Sequence, residues 1–232
     1  MIVFCANSLP QVISNQGVRQ FQVILQTLKP QLILNQCGGD IETRSQYFKK
    51  HLSKFNEPFH LIGYGIAGLD LRYVLSQNNN IRAKSLITIG TPHRGSILSD
   101  LYRRKRIEDD IIEPICRVLG VRQNYFEEIN SENIRDFNLV ATNKDVIKYF
   151  SLNAETEVGQ MSQIYQASGT IIESEKEYPV ESGSDGIFAH NETKWGQHVA
   201  TLDCDHGAMI GIPNQRNGEQ TVDIIQQLIQ DL

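Results

Sequence analysis

Cysteine is scarce in this chain, and its placement excludes two common kinds of structural site. The four cysteines, Cys5, Cys37, Cys116 and Cys204, lie far apart and form no CxxC pair. Neither a zinc knuckle nor a small disulfide framework is therefore expected. Free thiols of this kind fit a reducing, intracellular compartment.

Long hydrophobic runs are also missing. No apolar stretch approaches the roughly 20 residues that span a bilayer. The first apolar stretch, MIVFCA, begins at Met1 and is too short, with no basic residues before it, to resemble a signal peptide. We therefore expect a protein that is not secreted, has no transmembrane segment and resides in the cytosol or the mitochondrion.

Positive charge is in short supply as well. The net charge is -5 and the pI is near 5.7. The one basic run, RRKR at residues 103–106, is followed at once by Glu108, Asp109 and Asp110. Such a balance predicts a charge-mixed surface segment, and no nucleic-acid partner is expected.

What the chain does have is the composition and pattern of one globular domain spanning residues 1–232. Hydrophobic residues make up 40% of it and charged residues 21%. Short β-branched runs alternate with helical patterns, which predicts an α/β fold with a mainly parallel sheet flanked by helices. We expect strands at residues 2–6, 32–36, 59–64, 84–90, 146–153 and 198–204.

Helical patterns lie between these strands. Apolar residues recur at helical spacing in 18–28 and 47–52, and a last helix is expected from Gly218, capped by Thr221, to the C-terminus. Residues 168–184, rich in Ser, Glu and Gly, predict a long surface connection.

Between residues 97 and 139 the alternation stops and a charged, helix-compatible stretch intervenes. We interpret it as a cap-like insertion within the domain. Two readings stay open, a lid over a pocket and a peripheral helix pair.

Two motifs carry a family resemblance. HLIGYGIAGLDLRYVLS, residues 60–76, is followed by SLITIGTPHRGS, residues 85–96. Together they resemble the strand, turn, helix and next strand of triacylglycerol lipases and related esterases. The resemblance implies an α/β-hydrolase fold.

In that family the nucleophilic serine stands at the centre of a G-x-S-x-G turn, the nucleophile elbow. Here the central position is Gly65, while the small flanking residues Gly63 and Ala67 are retained. The resemblance therefore implies that the elbow forms but that its hydroxyl is missing.

The other catalytic positions of the family match a later segment. Residues 182–211 resemble the part of these enzymes that holds the acid and the base. The resemblance makes Asp185 the acid and His206 the base, in the chain order that this fold requires. Ser184 replaces the family's asparagine beside the acid.

A second departure lies at the end of the first strand. The family has His-Gly there, and its backbone helps to form the oxyanion hole. Ala6 and Asn7 occupy these positions, so a degenerate oxyanion region is expected. All five matched positions are thus expected to be vestigial: Gly65, Asp185, His206, Ala6 and Asn7.

Several other groups are candidates to replace the serine. Tyr64 adjoins the elbow, but its phenol is a weak nucleophile at neutral pH. Residues 203–206 invite a metal site, although adjacent side chains point in different directions. Water activated by Asp185 and His206 remains an alternative. Ser8 is read as a turn residue and His93 as a structural histidine.

These observations predict a pseudoenzyme: a catalytically inactive lipase-like hydrolase that serves as a structural or scaffold subunit of a larger protein complex. No cofactor or metal is expected. Because the family's leading antiparallel strands are not seen before residue 2, we expect residues 1–6 or 97–139 to be buried against another protein. The alternatives are a lipid- or acyl-ligand-binding module and an esterase or lipase with a non-standard mechanism.

Overall fold

The computed structural model describes residues 1–7, 26–35, 38–175, 183–212 and 215–232. Within these residues six strands form one parallel sheet in the order β2-β1-β3-β4-β5-β6. The strands are β1 (Ile2–Ala6), β2 (Gln31–Leu34), β3 (Phe59–Tyr64), β4 (Ala83–Ile89), β5 (Lys148–Glu155) and β6 (Gln197–Asp203). The predicted mainly parallel α/β sheet is confirmed.

The strand bounds follow the apolar runs closely. Strands β1 and β3 have the predicted limits, and β2, β4 and β6 differ from them by one or two residues. Strand β5 is shifted by two residues at each end, since it was expected to begin at Val146. That residue lies in a turn and is 84% exposed, because the turn is closed by a hydrogen bond from Ile147 N to Lys144 O (3.0 Å).

Helices follow most strands along the chain. Their bounds are α1 (Ile41–Leu52), α2 (Ala67–Gln77), α3 (Ile97–Arg103), α4 (Asp109–Leu119), α5 (Ser131–Val140), α6 (Gln163–Ser174) and α7 (Gln215–Gln230). The predicted helix over 47–52 is confirmed as the second half of α1. Of the pattern at 18–28, residues 18–25 lie outside the described residues, and residues 26–28 are helical with Leu28 buried.

The last helix begins earlier than predicted. It starts at Gln215, three residues before Gly218, and Thr221 is a fully buried residue inside it and not its cap. Gly218 packs so closely on Gly211 that an added Cβ would lie 2.7 Å from the Gly211 Cα. This close approach explains a glycine inside the helix.

The predicted surface connection at 168–184 is wrong over its first part. Helix α6 continues to Ser174, and Ser168 is buried with its hydroxyl hydrogen-bonded to the carbonyl of Tyr165. Apolar residues at helical spacing, including Tyr165 and Ile172, outweigh the Ser-rich composition. Residues 176–182 lie outside the described residues, whereas Ser184 is buried.

Three apolar clusters hold these layers together. One face of the sheet packs against α7 through Val222 and Ile225. The opposite face packs against α1 and α2 through Phe48 and Leu71. The third cluster unites α3 to α6 with Ile66, beside the carboxyl end of β3.

Residues 97–139 are helical and belong to this third cluster. Helices α3, α4 and α5 and a 3-10 helix, Gln123–Ile129, make up most of the stretch. Leu119 of α4 and Ile134 of α5 share a buried core with Ile66 and Leu69. That this stretch is an insertion into the hydrolase domain stays a prediction.

The expectation that a partner protein covers residues 1–6 has no support from the sheet order. Strand β1 lies between β2 and β3, so it is an interior strand of the sheet. Val3 to Ala6 are fully buried, and Met1 alone in this segment is half exposed. A partner protein therefore has little of this segment to cover.

Within the described residues, no helix combines the length and the apolar character needed to cross a membrane.

The tightest packing in the sheet layer lies where α2 meets β3 and the turn after β4. A Cβ on Gly68 would lie 2.2 Å from Thr91 Oγ1, and a Cβ on Gly63 would lie 2.9 Å from Gly68 Cα. Thr91 Oγ1 also donates a hydrogen bond to Gly65 O (2.6 Å). Any side chain at Gly68 must therefore displace a group that holds the turn.

We predict that Gly68→Ala lowers the free energy of unfolding by about 2 kcal/mol or more, because overpacking forces side chains and backbone to shift. Gly159→Ala is the control, since nothing lies within 4 Å of a Cβ there and the site is exposed. It should change stability by less than about 0.5 kcal/mol. Urea denaturation measures both, and equal effects would show that the close approach at Gly68 does not limit the fold.

Candidate functional site

Gly65 lies in a sharp turn between β3 and α2. Its φ is +58°, in the left-handed region that glycine occupies without strain. Its N–H donates to Ile89 O (2.9 Å), and its carbonyl accepts from Gly68 N (3.2 Å) and Thr91 Oγ1 (2.6 Å). Both polar groups of the Gly65 backbone are thus bonded to elements on either side of the turn.

Asp185 and His206 are joined twice. His206 Nδ1 lies 2.7 Å from Asp185 Oδ2, and the backbone N–H of His206 donates to Asp185 O (2.8 Å). The other carboxylate oxygen, Oδ1, accepts from the N–H groups of Ile187 (2.8 Å) and Phe188 (2.7 Å). Both side chains are buried, at 1% and 0% exposure. The carboxylate therefore fixes both the loop around it and the orientation of the imidazole.

The second ring nitrogen of His206 faces Gly65. A Cβ on Gly65 would lie 3.6 Å from His206 Nε2 and 3.7 Å from Leu119 Cδ2. No described residue forms a hydrogen bond with this buried Nε2. The structure thus brings together Gly65, Asp185 and His206 and encloses them beneath α4.

The ring of His206 is held by aromatic neighbours as well. The Tyr64 ring lies 4.8 Å from it and the Phe188 ring 5.6 Å. The Tyr64 hydroxyl donates to His206 O (3.1 Å). Burial raises the pKa of this phenol well above its usual value. Tyr64 is therefore a packing and hydrogen-bonding residue, with no phenolate available as a nucleophile.

Ala6 and Asn7 lie at the end of β1, next to the helix that follows the elbow. Ala6 is fully buried and belongs to the apolar cluster on the α7 side of the sheet. The Asn7 amide donates to Asp70 Oδ2 (2.7 Å). The side chain at this expected oxyanion position is thus bound to a buried carboxylate of α2.

Asp70 belongs to a buried ionic network that sequence reasoning missed. Arg44 of α1 lies 3.0 Å from Asp70 Oδ1 and 3.1 Å from Glu128 Oε2. Arg44 is 1% exposed and Asp70 0%. Burial raises the pKa of both carboxyl groups, and Arg44 opposes the shift in each. The one sequence feature that could have indicated this network is Asp70, an acidic residue between apolar ones in GLDLR. Its partners are distant in the chain, so the sequence did not reveal them.

The remaining candidates do not share a site with one another. Asp203 accepts from Thr156 Oγ1 (2.8 Å), whereas Asp205 accepts from Ser162 N (2.8 Å). Burial raises the pKa of the Cys204 thiol. Among the described residues, no three His, Cys, Asp or Glu side chains are arranged to hold a metal ion.

His93 has the contacts of a structural residue, and Ser8 lies outside the described residues. The His93 ring is buried, 2.9 Å from Thr88 Oγ1 through Nε2 and stacked at 5.6 Å on Trp195. It fixes the turn after β4, as expected.

The sheet order defines the class: the chain has an α/β-hydrolase fold like those of lipases and esterases. No protein-family model matches the chain. Triacylglycerol lipase 2 of Saccharomyces cerevisiae is 29% identical over 197 residues, which cover 76% of this chain and 56% of the yeast protein. The chain thus corresponds to little more than half of that relative.

Solved structures agree on the fold. The mature lipase BlEst2 of Bacillus licheniformis superposes with a TM-score of 0.74 at 16% identity, covering 98% of this chain and 89% of that one. A metagenomic carboxyl esterase superposes with a TM-score of 0.73 at 12% identity, covering 100% and 76%. Sequences this distant share the architecture and do not establish the activity.

We predict that Asp185→Ala lowers the free energy of unfolding by about 3 kcal/mol or more. The change leaves three buried donors, on His206, Ile187 and Phe188, without their acceptor. Asp145→Ala, at an exposed carboxylate, is the control and should be nearly neutral. Urea denaturation measures the free energy of unfolding of both variants. A loss below about 1 kcal/mol for Asp185→Ala would show that the Asp185–His206 pair has no structural role.

Proposed function

We propose that this protein is a catalytically inactive lipase-like hydrolase that serves as a structural subunit of a larger protein assembly. The observation that carries the proposal is the pairing of Gly65 with His206. A serine at this turn would face Nε2, yet residue 65 has no side-chain atom for a base to deprotonate. In this proposal Asp185 and His206 are the acid and base of an acyl-transfer site. Residue 65, at the nucleophile position, has no side-chain group that could attack a substrate.

The expected loss of rate is large. Removal of the nucleophile from a Ser-His-Asp triad costs about a million-fold in kcat. Loss of one oxyanion donor costs about a hundred- to thousand-fold. The family's glycine at position 7, beside the backbone donor, is replaced by Asn7, so a deficit of this kind adds to the first and hydrolysis is expected to be indistinguishable from background.

Retention of Asp185 and His206 is compatible with inactivity. A buried carboxylate and imidazole that are hydrogen-bonded to each other are costly to break one at a time. The pair also ties the 183–193 segment to the residues after β6 through the His206 N to Asp185 O hydrogen bond. We therefore assign these residues a structural role.

Two rival functions have less support from the site. A water-activating Asp185–His206 pair needs solvent at Nε2, but His206 is fully buried. An acyl-binding module would need α4 to move, because Leu119 would lie 3.7 Å from a Cβ on Gly65. Access of an ester to a serine at position 65 needs the same movement. Saturable binding of a fatty acid would favour that module, and constant stoichiometry with other chains in native extracts would favour the subunit role. The intracellular location stays a prediction from the sequence.

The decisive variant is Gly65→Ser. A Cβ at this turn meets nothing closer than 3.6 Å, so there is room for a serine near His206, although its φ of +58° costs backbone strain that glycine avoids. We predict slow hydrolysis of p-nitrophenyl butyrate and a covalent adduct at residue 65 with a serine-directed fluorophosphonate, read by mass spectrometry. Neither should occur in the unmodified protein.

Gly65→Ser combined with His206→Ala is the matched control. It keeps the hydroxyl and removes the base, so both signals should fall to background. A fully folded Gly65→Ser variant that neither reacts nor turns over ester would contradict the assigned geometry. Adduct formation in the unmodified protein would contradict the inactive reading.

A further inference from the structure

A groove opens between α1 and α5, away from the enclosed site. It has a volume of about 500 Å³. We call it the α1–α5 groove and define it by Ile41, Glu42, Tyr73, Asp136, Phe137 and Val140. None of these residues belongs to the Gly65–Asp185–His206 site.

The floor of the groove is aromatic and apolar. The rings of Tyr73 and Phe137 stack with centroids 6.4 Å apart. Val140 is 56% exposed, and its neighbour Leu139 is 75% exposed. Helix α5 fully buries Ile134 and partly buries Phe137, whereas Leu139 and Val140 near its end are exposed. Contiguous exposed apolar surface of this kind marks an interaction site.

The rim of the groove is acidic. Carboxylates of Asp40, Glu42, Glu128 and Asp136 line it, and none of the described residues that line it is basic. Arg44, which lies beneath, is shared between Glu128 and the buried Asp70, so it does not neutralise both. Arg135 lies 3.6 Å from Asp136 in an exposed pair, which is worth little in water. The groove therefore carries net negative charge.

We infer that the α1–α5 groove docks a basic segment of a partner protein, with an apolar or aromatic side chain on the Tyr73–Phe137 floor and arginine or lysine at the acidic rim. This inference rests on the proposed subunit role. Charge complementarity selects the partner: an anionic membrane surface and nucleic acid would be repelled by this rim. A second copy docked symmetrically would bring acidic rims together.

The basic run of this chain is a poor occupant for the groove of another copy. Arg103 already pairs with Glu132 (2.8 Å) and Arg106 with Glu175 (3.0 Å). These partly exposed pairs are weak, but the run also lies at the end of α3, directly before Glu108, Asp109 and Asp110, so it does not present an isolated basic segment. The partner segment is therefore expected on a different protein.

The test uses the full chain and a fluorescein-labelled decapeptide of alternating arginine and leucine with a central tryptophan. Fluorescence anisotropy measures its Kd, and the same peptide with glutamate for arginine is the charge control. We expect the basic peptide to bind, the acidic peptide not to bind, and affinity to fall with added salt.

The groove variant is Glu42→Lys with Asp136→Lys, and we expect it to weaken peptide binding at least tenfold. Its matched control is Asp223→Lys with Asp231→Lys, which changes the net charge equally at exposed positions within α7 and just beyond its end, on the opposite face of the sheet. That control should change the Kd less than twofold.

Val140→Ser should weaken binding severalfold at unchanged charge. Circular dichroism and urea denaturation establish that all variants fold.

Each other outcome overturns the inference. If both double variants weaken peptide binding equally, the peptide is attracted by the overall charge of the protein. If the groove variant does not weaken binding, the peptide binds outside the α1–α5 groove. Self-association that only the groove variant abolishes, seen by analytical ultracentrifugation, would make a second copy the occupant. Ester hydrolysis is assayed in the same samples, so failure of the inactive reading is recorded separately from failure of the groove.

Discussion

The close approach of α2 to the strands beneath it is the constraint on which the rest of the structure depends. Gly68 leaves no room for a side chain against Thr91, and Thr91 in turn donates to the carbonyl of Gly65. This packing surrounds the turn after β3, where Gly65 has a φ of +58°. Glycine adopts this conformation without strain, so the turn forms with no side chain at residue 65.

The buried polar groups around the turn persist for the same kind of reason. Asp185 accepts four hydrogen bonds, three at its carboxylate and one at its backbone carbonyl. Arg44 lies between two carboxylates, those of Asp70 and Glu128. Removal of one member of such a set leaves its partners unpaired in a low-dielectric interior. The Asn7 amide joins the Arg44 network through its hydrogen bond to Asp70, and so links the end of β1 to α2. Glu128 extends that network to the surface at the α1–α5 groove.

Sequence reasoning succeeded where the determining residues are close together in the chain. The run before Gly65 and the turn around it predicted both strand and elbow, because the glycines and apolar residues act locally. It failed where the decisive contact is distant. Arg44 and Asp70 are 26 residues apart, and Arg44 and Glu128 are 84 apart, so no local pattern announces their network. The Ser-rich composition also gave a wrong prediction at Ser168, which was expected in a surface connection. Its hydroxyl donates a hydrogen bond to a carbonyl of its own helix.

The central claim is that the enclosed site of the unmodified protein has no hydrolytic chemistry. The most direct measurement is the turnover of p-nitrophenyl butyrate by purified protein, compared with buffer and with His206→Ala at equal concentration. The account predicts three indistinguishable rates, because a base without a nucleophile contributes nothing. A rate well above buffer that disappears in His206→Ala would contradict it and show that His206 still activates a nucleophile.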